Sequence, residues 1–367
     1  MNVINLPMFS TFTFSANFGR IFAISAIIIS FVGSSLRVLS FCVFALIVDS
    51  QSALMGAREG LELCIKTVIP SLMPFFFLSV LLTNRLSGKK ISMLRPLGRI
   101  LRLPEGAESI FLIGILGGYP VGAQAISQAA QAGSLDRSNA KRMLGFCSNA
   151  GPSFIFGILG SMFSSPSSAW ALWIIHILSA ILVGVSLPGK VTAPVMTVQE
   201  TKLSVPAALE RAMKIMVNVC GWVILFRVLI RFLKRWILWL FPGIFQNVII
   251  GVLELTNGCC ALCDIDHEGL RFVLASCFLS LGGFCVAMQT MAVTEKIGTG
   301  MYFPGKILQA AVSVLLAWGY QALFLSYNHR MSISPIMIIP VLIILLTAGF
   351  YLKNRKNNSS IPQLSGV

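Results

Sequence analysis

Uncharged stretches of membrane-spanning length follow one another along most of the chain. About 18 apolar residues cross a bilayer as a helix, and each stretch comes near or above that length. The stretches are residues 67–84, 109–135, 143–189, 236–263 apart from Glu254, 272–294, 307–329 and 331–352. Weaker candidates are residues 21–48 and 214–233, which contain Arg37 and Arg227. The pattern predicts an all-α polytopic membrane protein with about eight to ten membrane segments, some of which enter the bilayer without crossing it.

Composition agrees with this prediction and excludes soluble proteins. The chain is 56% hydrophobic and 11% charged, whereas soluble domains carry about 25% charged residues. The formal net charge of +15 is spread over short basic runs beside apolar segments. Such runs are typical of cytoplasmic loops or of contacts with anionic lipid headgroups, so nucleic acid is not an expected partner. The nine cysteines are odd in number and lie mostly in apolar stretches, so no disulfide framework is predicted.

Two neighbouring apolar segments are interrupted by residues that break a helix. The first interruption, GGYPVG, occupies residues 117–122, and the second, SNAGP, occupies residues 148–152. Proline and glycine interrupt a continuous helix, and irregular backbone at membrane depth occurs only inside protein or beside water. The two interruptions therefore predict a hairpin packed against a discontinuous helix.

The second half of the chain shows the same order of features. Residues 254–258 (ELTNG) and 281–284 (LGGF) interrupt apolar segments at a spacing similar to that in the first half. Paired interruptions are typical of inverted-repeat carriers, in which broken helices from both halves surround one cavity at the membrane midplane. Two repeated halves with re-entrant or broken helices are therefore predicted. Both halves also carry a basic segment, which inversion would place on opposite sides, so the relative orientation is left open.

The expected organisation divides the chain at its polar stretches. The parts are an N-terminal extension with a first membrane segment (1–52), a first repeat (53–189), a polar linker (190–214), a second repeat (215–326), a last membrane helix (327–352) and a basic polar tail (353–367). Residues 21–48 are interpreted as an anchor or first span, because no small-residue cleavage pattern follows a short apolar core.

Glu254 is the only charged residue between Arg235 and Asp264. A charge near the bilayer centre costs about 2.5–3.5 kcal/mol on insertion scales, so its presence needs an explanation. One hypothesis is that Glu254, with Thr256 and Asn257, lines a hydrated site and binds substrate, a cation or a proton. The alternative is a structural pairing of the carboxylate with a helix terminus or a distant arginine.

The residues of the interruptions are candidates for a solute pathway. A helix that ends inside the membrane exposes N–H groups whose positive dipole end can face an anion, although the Gly118 to Gly122 spacing also fits close helix packing. Ser148, Asn149 and Gln289 could hydrogen-bond a polar solute. The predicted substrate-binding or pathway residues are Gly118, Tyr119, Pro120, Gly122, Ser148, Asn149, Gly151, Pro152, Glu254, Thr256, Asn257, Gly282, Gly283 and Gln289.

Signatures of catalysis, metal binding and cofactor binding are weak or missing. The sequence has no phosphate loop, paired-histidine helix or nucleophile elbow, so no enzyme activity, catalytic residue or cofactor is predicted. Cys259, Cys260 and Cys263 before His267 resemble a metal-ligand spacing, but a closed zinc site usually shows two separated ligand pairs, and no metal is predicted. His176 lies in an apolar segment and is interpreted as a packed helix residue.

The interruptions also carry a family resemblance. Residues 118–123 (GYPVGA) and 145–154 (GFCSNAGPSF), with 253–258 (LELTNG) and 281–284 (LGGF), resemble the sporulation integral membrane protein family called YlbJ or SpoVV. That family is part of the gate-domain, or nucleoside-recognition, membrane proteins, which are similar to concentrative nucleoside transporters and to the gate regions of ferrous-iron permeases. The resemblance implies a carrier that moves dipicolinate, pyridine-2,6-dicarboxylate, across the outer forespore membrane from the mother cell.

The expected function is passage of a small anionic solute, with dipicolinate as the substrate that the resemblance implies. Nucleoside or metal-ion permeation, and a non-transporting assembly role in spore formation, are the alternatives. The expected location is the outer forespore membrane or the cell membrane. The expected partners are the solute and the lipid bilayer, and a homo-oligomer is left open.

Overall fold

The described part of the chain is built from α-helices. The computed structural model describes residues 34–86, 89–189 and 203–322, and these ranges contain no strand. The helices are α1 (Ser34–Val48), α2 (Ser50–Leu86), α3 (Arg95–Ile100), α4 (Glu108–Gly117), α5 (Val121–Gln131), α6 (Arg137–Cys147), α7 (residues 152–162), α8 (Pro166–Ser186), α9 (Val205–Trp236), α10 (Gly243–Leu253), α11 (Leu255–Ala261), α12 (Glu268–Leu281), α13 (Gly283–Val293) and α14 (Tyr302–Tyr320). The predicted all-α class is confirmed.

Five helical stretches in the described ranges are long and apolar enough to cross a membrane. They are α2, α6 with α7, α8, α9, and α12 with α13, while Leu39–Val48, α4 and α10 are shorter apolar helices. Large apolar side chains on α9 are exposed at Leu209, Met213, Val217, Leu225 and Leu229, which suits a helix that faces lipid. The protein is an integral membrane protein. The expected last membrane helix (327–352), the tail (353–367) and most of the N-terminal extension lie outside the described residues.

The two longest helices, α2 and α9, run antiparallel in close contact. Gly56 of α2 lies against Val228 of α9, and Gly60, one turn later, lies against Ile224, one turn earlier. A Cβ atom added to either glycine would come within 2.9 Å of the partner's Cα atom. Small residues spaced four apart allow this close approach between membrane helices.

The ends of this helix pair separate the two basic segments. Near one end the Leu203 N–H donates to the Asn84 side chain at 3.2 Å, and at the other end Arg235 pairs with Asp49 at 3.2 Å. The basic residues that follow α2 therefore lie at the opposite end from Lys234 and Arg235, which close α9. Helix α2 is the first long helix of the first half, and α9 is the first long helix of the second half, so the two halves begin in opposite directions. The orientation of one half relative to the other, which the sequence left open, is therefore inverted.

The helices after α2 and after α9 follow the same order. Gly122 of α5 packs on Gly114 of α4, and Gly258 of α11 packs on Gly251 of α10, so both pairs of short helices are hairpins. Each hairpin is followed by an interrupted helix, α6–α7 or α12–α13, and then by a continuous helix, α8 or α14. The prediction of two repeated halves with broken helices is confirmed.

One helix boundary differs from the sequence-based expectation, and the basic segment after α2 is only partly helical. Helix α9 begins at Val205, inside the stretch expected to be linker. The basic segment after α2 forms only a short 3₁₀ turn, Ser92–Leu94, and the six-residue α3. Helix α3 ends early because the Leu103 N–H bonds back to the Gly98 carbonyl at 2.8 Å while Arg102 has a positive φ of 52°, a known helix-terminating arrangement.

Candidate functional site

Four helix interruptions in the described chain are in contact with one another. A Cβ atom on Gly118, between α4 and α5, would lie 2.8 Å from the nitrogen of Gly151, between α6 and α7. A Cβ atom on Gly282, between α12 and α13, would lie 3.3 Å from the ring of Tyr119. A Cβ atom on Gly283 would lie 3.0 Å from the carbonyl oxygen of Val252 and 3.1 Å from that of Gly251, both near the end of α10. The structure thus brings together the interruptions of both halves, as the paired spacing predicts.

A pocket lies where these interruptions meet. Six of the predicted residues line it, namely Gly118, Tyr119, Gly151, Glu254, Thr256 and Gln289. Its apolar wall comes mainly from α2, α7 and α9, through Val68, Leu72, Phe76, Phe154, Val219 and Val223. The pocket contains about 490 Å³ of atom-free space, part of it open to the outside, and the centres of water molecules can occupy about 40 Å³ of it. An apolar wall with a few polar groups is typical of a small-molecule site.

Glu254 caps helix α11 with its side chain. Oε1 accepts a hydrogen bond from the Thr256 N–H at 3.0 Å, and Oε2 accepts from the main-chain and side-chain nitrogens of Asn257, both at 2.6 Å. These bonds and the positive end of the α11 dipole reduce the cost of burying a carboxylate in a residue that is only 2% exposed. Pairing with a helix terminus was one of the two explanations proposed for Glu254. Glu254 is also one of the residues that line the pocket, and its action on a solute stays a prediction.

Asn257 connects this cap to charged residues on the long helices. Its Oδ1 accepts from Arg227 Nη1 at 2.6 Å, and Arg227 Nε donates to Glu59 at 3.0 Å. Arg231 donates to the other carboxylate oxygen of Glu59 at 3.1 Å. The start of α11 is therefore tied to both α2 and α9, and Arg227 is linked to Glu254 through Asn257.

Three other helices begin at the pocket without a side-chain cap from the described residues. Helix α5 begins after Pro120, α7 begins with Pro152 after Gly151, and α13 begins after Gly282. The first N–H groups of a helix have no partner within the helix, and they form the positive end of its dipole. Several helix N-termini therefore lie around the pocket, and that of α11 is already capped by the Glu254 carboxylate.

Three further predicted residues, one of them at the pocket wall, have different surroundings. Gly122 packs on the backbone of Gly114, which agrees with the helix-packing alternative proposed for it. Ser148 is fully buried, and its hydroxyl has no hydrogen-bond partner among the described residues. Gln289 is buried at the pocket wall, where its Nε2 lies 3.4 Å from Cys285 Sγ. Their roles toward a solute stay predictions.

A buried cation that sequence analysis did not identify lies beside the first-half interruptions. Lys306 of α14 is 2% exposed. Its Nζ donates to Gln309 Oε1 at 2.7 Å, to Tyr119 Oη at 3.2 Å and to Asn149 Oδ1 at 3.4 Å. Tyr119 Oη in turn donates to the Leu279 carbonyl at 3.2 Å. Two predicted pathway residues, Tyr119 and Asn149, are thereby joined to α14 of the second half.

His176 extends this polar cluster. Its Nε2 accepts from the Ala150 N–H at 3.0 Å, so Nδ1 carries the ring hydrogen and donates to Ser280 Oγ at 3.1 Å. Gln309 Nε2 donates to the His176 carbonyl at 3.3 Å and to Asn149 Oδ1 at 3.0 Å. His176 is buried in its helix, as expected, but it also links an interruption of the first half to one of the second.

The sequence contained only a weak signal for Lys306. Lys306 directly precedes the uncharged stretch 307–329 and has the pattern of a charge that flanks a membrane segment. Helix α14 begins earlier, at Tyr302, so Lys306 lies in its second turn and inside the bundle. A position one turn into a helix cannot be distinguished from a flanking position when the start of the helix is not known.

The cysteine-rich segment does not form a metal site in the described structure. No group of three or more His, Cys, Asp and Glu side chains in the described ranges is arranged to hold a metal ion. Cys259 is buried and Cys263 is exposed, while His267 caps α12 by accepting from the Leu270 N–H at 3.1 Å.

Comparison with known proteins gives one informative similarity. The chain is similar to the sporulation integral membrane protein YlbJ of Bacillus subtilis (strain 168), with 25% identity over 360 residues that cover 80% of this chain and 88% of the relative. No protein-family model matches the chain, and no solved structure matches it. The similarity covers most of both proteins and therefore includes parts of both repeated halves.

Proposed function

We propose that this protein, which is similar to the sporulation integral membrane protein YlbJ, acts in spore formation as a transporter of a small anionic solute. The proposed solute is dipicolinate, and the proposed location is the outer forespore membrane. Both details follow from the family resemblance of the interruptions.

The observation that supports transport most strongly is the meeting of interrupted helices from two inverted halves around one pocket. Irregular backbone is costly in lipid, because every unpaired N–H or C=O group loses its hydrogen bonds to water. Membrane carriers tolerate such breaks where the exposed groups contact solute or ions at the repeat interface. A protein that only held other proteins in the membrane would not need this arrangement.

The charge distribution around the pocket supports an anionic solute. Helices α5, α7 and α13 present N-termini without side-chain caps among the described residues. The carboxylate of Glu254 is directed into the N-terminus of α11, where three hydrogen bonds stabilise its charge. A solute carboxylate can therefore approach the other helix ends without direct contact with an unpaired carboxylate.

The proposed transport cycle includes a movement of the hairpins, which the small size of the pocket supports. The space available to the centres of water molecules, about 40 Å³, accommodates about three waters and is small for a pyridine dicarboxylate. Opening of the α4–α5 or α10–α11 hairpin away from the interrupted helices would enlarge it. In the proposed cycle, the structure therefore corresponds to a state in which the pocket must widen to hold the solute.

The proposal is tested by uptake of labelled dipicolinate into proteoliposomes that contain the purified protein. The wild type is expected to accumulate dipicolinate, and an excess of nucleosides is expected not to compete. Glu254→Gln should reduce uptake at least about fivefold, because the amide can no longer accept from both N–H donors and leaves one of them unpaired at the pocket.

Asp136→Asn is the matched control for that variant. Asp136 caps α6 through the N–H of Asn139 at 2.9 Å and its side chain at 2.6 Å, which is the same arrangement far from the pocket. Dipicolinate uptake by Asp136→Asn should stay within about twofold of that by the wild type. Competition by nucleosides would instead indicate a nucleoside carrier, and absence of uptake of either solute would contradict transport and favour an assembly role.

A further inference from the structure

Lys306 is a buried charge without an anionic partner in the described structure. Its side chain is 2% exposed, and no carboxylate in the described ranges lies within 4 Å of Nζ, since the ion pairs there involve other cations. Unpaired charges inside a membrane are costly and usually belong to a solute or ion pathway. The position of Lys306 therefore calls for a functional explanation.

The three contacts of Nζ suit an ammonium group. Gln309 uses its amide nitrogen to donate to Asn149, and the Asn149 amide nitrogen donates to the Phe146 carbonyl at 2.8 Å, so both amide oxygens are acceptors. Tyr119 donates its hydroxyl hydrogen to Leu279, so its oxygen also accepts. The three acceptors match the three N–H donors of a charged lysine.

Lys306 lies at the negative ends of interrupted helices. Asn149 directly follows the last turn of α6, and Leu279, which binds Tyr119, lies in the last turn of α12. Helix α14 reaches this position because Gly305 packs directly on Gly145 of α6. The C-terminal ends of broken helices carry partial negative charge, and in carriers with broken helices they are where coupling cations such as sodium bind.

The buried side chain of Arg142 provides a comparison, because it caps helix ends and has a different environment from that of Lys306. Arg142 is 4% exposed and donates only to main-chain carbonyls, those of Leu101 at 2.8 Å, Gly184 at 2.6 Å and Leu187 at 3.3 Å. These carbonyls close α3 and α8, so Arg142 acts as a C-terminal cap. Lys306 instead contacts side-chain oxygens gathered from three separate elements, and one of these side chains, Tyr119, lines the pocket.

We propose that the Lys306 ammonium group takes the place of a coupling cation, so that this carrier holds an anionic solute with a charge of its own and does not require sodium. Tyr119 lies between the ammonium group and the pocket, and the positive charge lowers the cost of bringing an anion beside it. This inference rests on the proposed function and adds the identity of the group that balances the solute's charge.

The first test measures thermal unfolding of the purified protein in sodium chloride and in choline chloride at equal ionic strength. The melting temperature of the wild type should agree within about 1 °C in the two salts, because its cation is covalently attached. A sodium-dependent rise in the wild type would reveal a separate sodium site and would overturn the proposal.

Two substitutions of Lys306 then separate loss of charge from loss of space. Lys306→Ala leaves a cavity beside Tyr119, Asn149 and Gln309, and sodium or methylammonium should raise its melting temperature by about 3 °C or more over choline. Lys306→Met removes the same charge but fills the space, so neither cation should stabilise it. An unresponsive Lys306→Ala, or an equal response of Lys306→Met, would count against the proposal.

Uptake measurements keep the two proposals distinguishable. Wild-type uptake of dipicolinate should be equal in sodium chloride and in choline chloride. Lys306→Ala should lose uptake in choline chloride and regain part of it in sodium chloride. If the wild type transports no dipicolinate, the proposed function fails, while the unfolding experiments still decide whether Lys306 replaces a cation. If Lys306→Ala cannot be purified folded, a sodium requirement of the wild type would reject the inference and its absence would support it.

Discussion

At the scale of single residues, the site combines two buried charges that are stabilised in different ways. Glu254 occupies the positive start of α11, and Lys306 lies beside the negative ends of α6 and α12. Each charge is placed where the helix dipoles favour it. The glycines of the interruptions allow the backbones of neighbouring interruptions to come into direct contact. A larger side chain at these positions would push the backbones apart.

Gly118 is a position where both the backbone conformation and a close backbone contact require glycine. Its φ of 73° and ψ of −172° suit only glycine, and a Cβ atom would lie 2.8 Å from the Gly151 nitrogen. Gly118→Ala should therefore destabilise the protein by more than about 2 kcal/mol and reduce solute uptake. Gly133→Ala is the control, because Gly133 has a φ of 71° but nothing within 4 Å, so it should lose only about 1 kcal/mol. Equal losses in thermal unfolding would contradict the role of the Gly118 contact.

At the scale of elements, the pair α2 and α9 supports the interrupted helices. The two helices supply much of the apolar pocket wall, and the Glu59–Arg227–Asn257 contacts tie them to the start of α11. The close contact depends on small residues, since apolar burial gives little driving force between helices that are already in lipid. Packing of α2 on α9 is thus a condition for the shape of the pocket.

Gly60 offers a direct test of this packing. In Gly60→Ala the new methyl group would lie 2.9 Å from the Cα atom of Ile224, so the helices must separate at a cost of about 1–3 kcal/mol. Gly221→Ala on α9 is matched to it, because that glycine has nothing within 4 Å, and its substitution should be neutral or slightly stabilising. Unfolding in detergent measures both variants, and a neutral Gly60→Ala would show that the contact is not tight.

At the scale of the whole molecule, the antiparallel course of α2 and α9 sets the two halves in opposite directions. The basic residues that follow α2 and those that close α9 then lie on opposite sides of the membrane, although positive loops favour the cytoplasm. One of the two segments therefore departs from the usual charge rule. Opposed halves allow the same order of hairpin and broken helix to face one pocket from both sides.

Labelling of engineered cysteines tests this topology. Lys89→Cys and Gly243→Cys lie in exposed positions at opposite ends of the helix pair, in a background where the exposed Cys42 and Cys263 are replaced by serine. A membrane-impermeant maleimide should label only one of them in sealed vesicles and both after permeabilisation. Labelling of both, or of neither, in sealed vesicles would contradict the inverted arrangement.

The sequence alone determined the class of the protein and the places where its helices break. Membrane length, low charge and the glycine and proline clusters are local properties, so they could be recognised without coordinates. The positions of Gly118, Asn149, Glu254 and Gly282 were predicted in this way, whereas their action on a solute stays a prediction.

Only the tertiary structure decided which side chains share one site. The antiparallel contact of α2 and α9 fixes the inversion, and the crossing of Gly145 and Gly305 brings Lys306 to Tyr119 and Asn149. These residues are more than 150 positions apart in the chain. Periodicity and charge patterns describe neighbours within a helix, and they contain no information on which helices meet. The physical reason is that contacts between helices depend on close packing of the whole bundle.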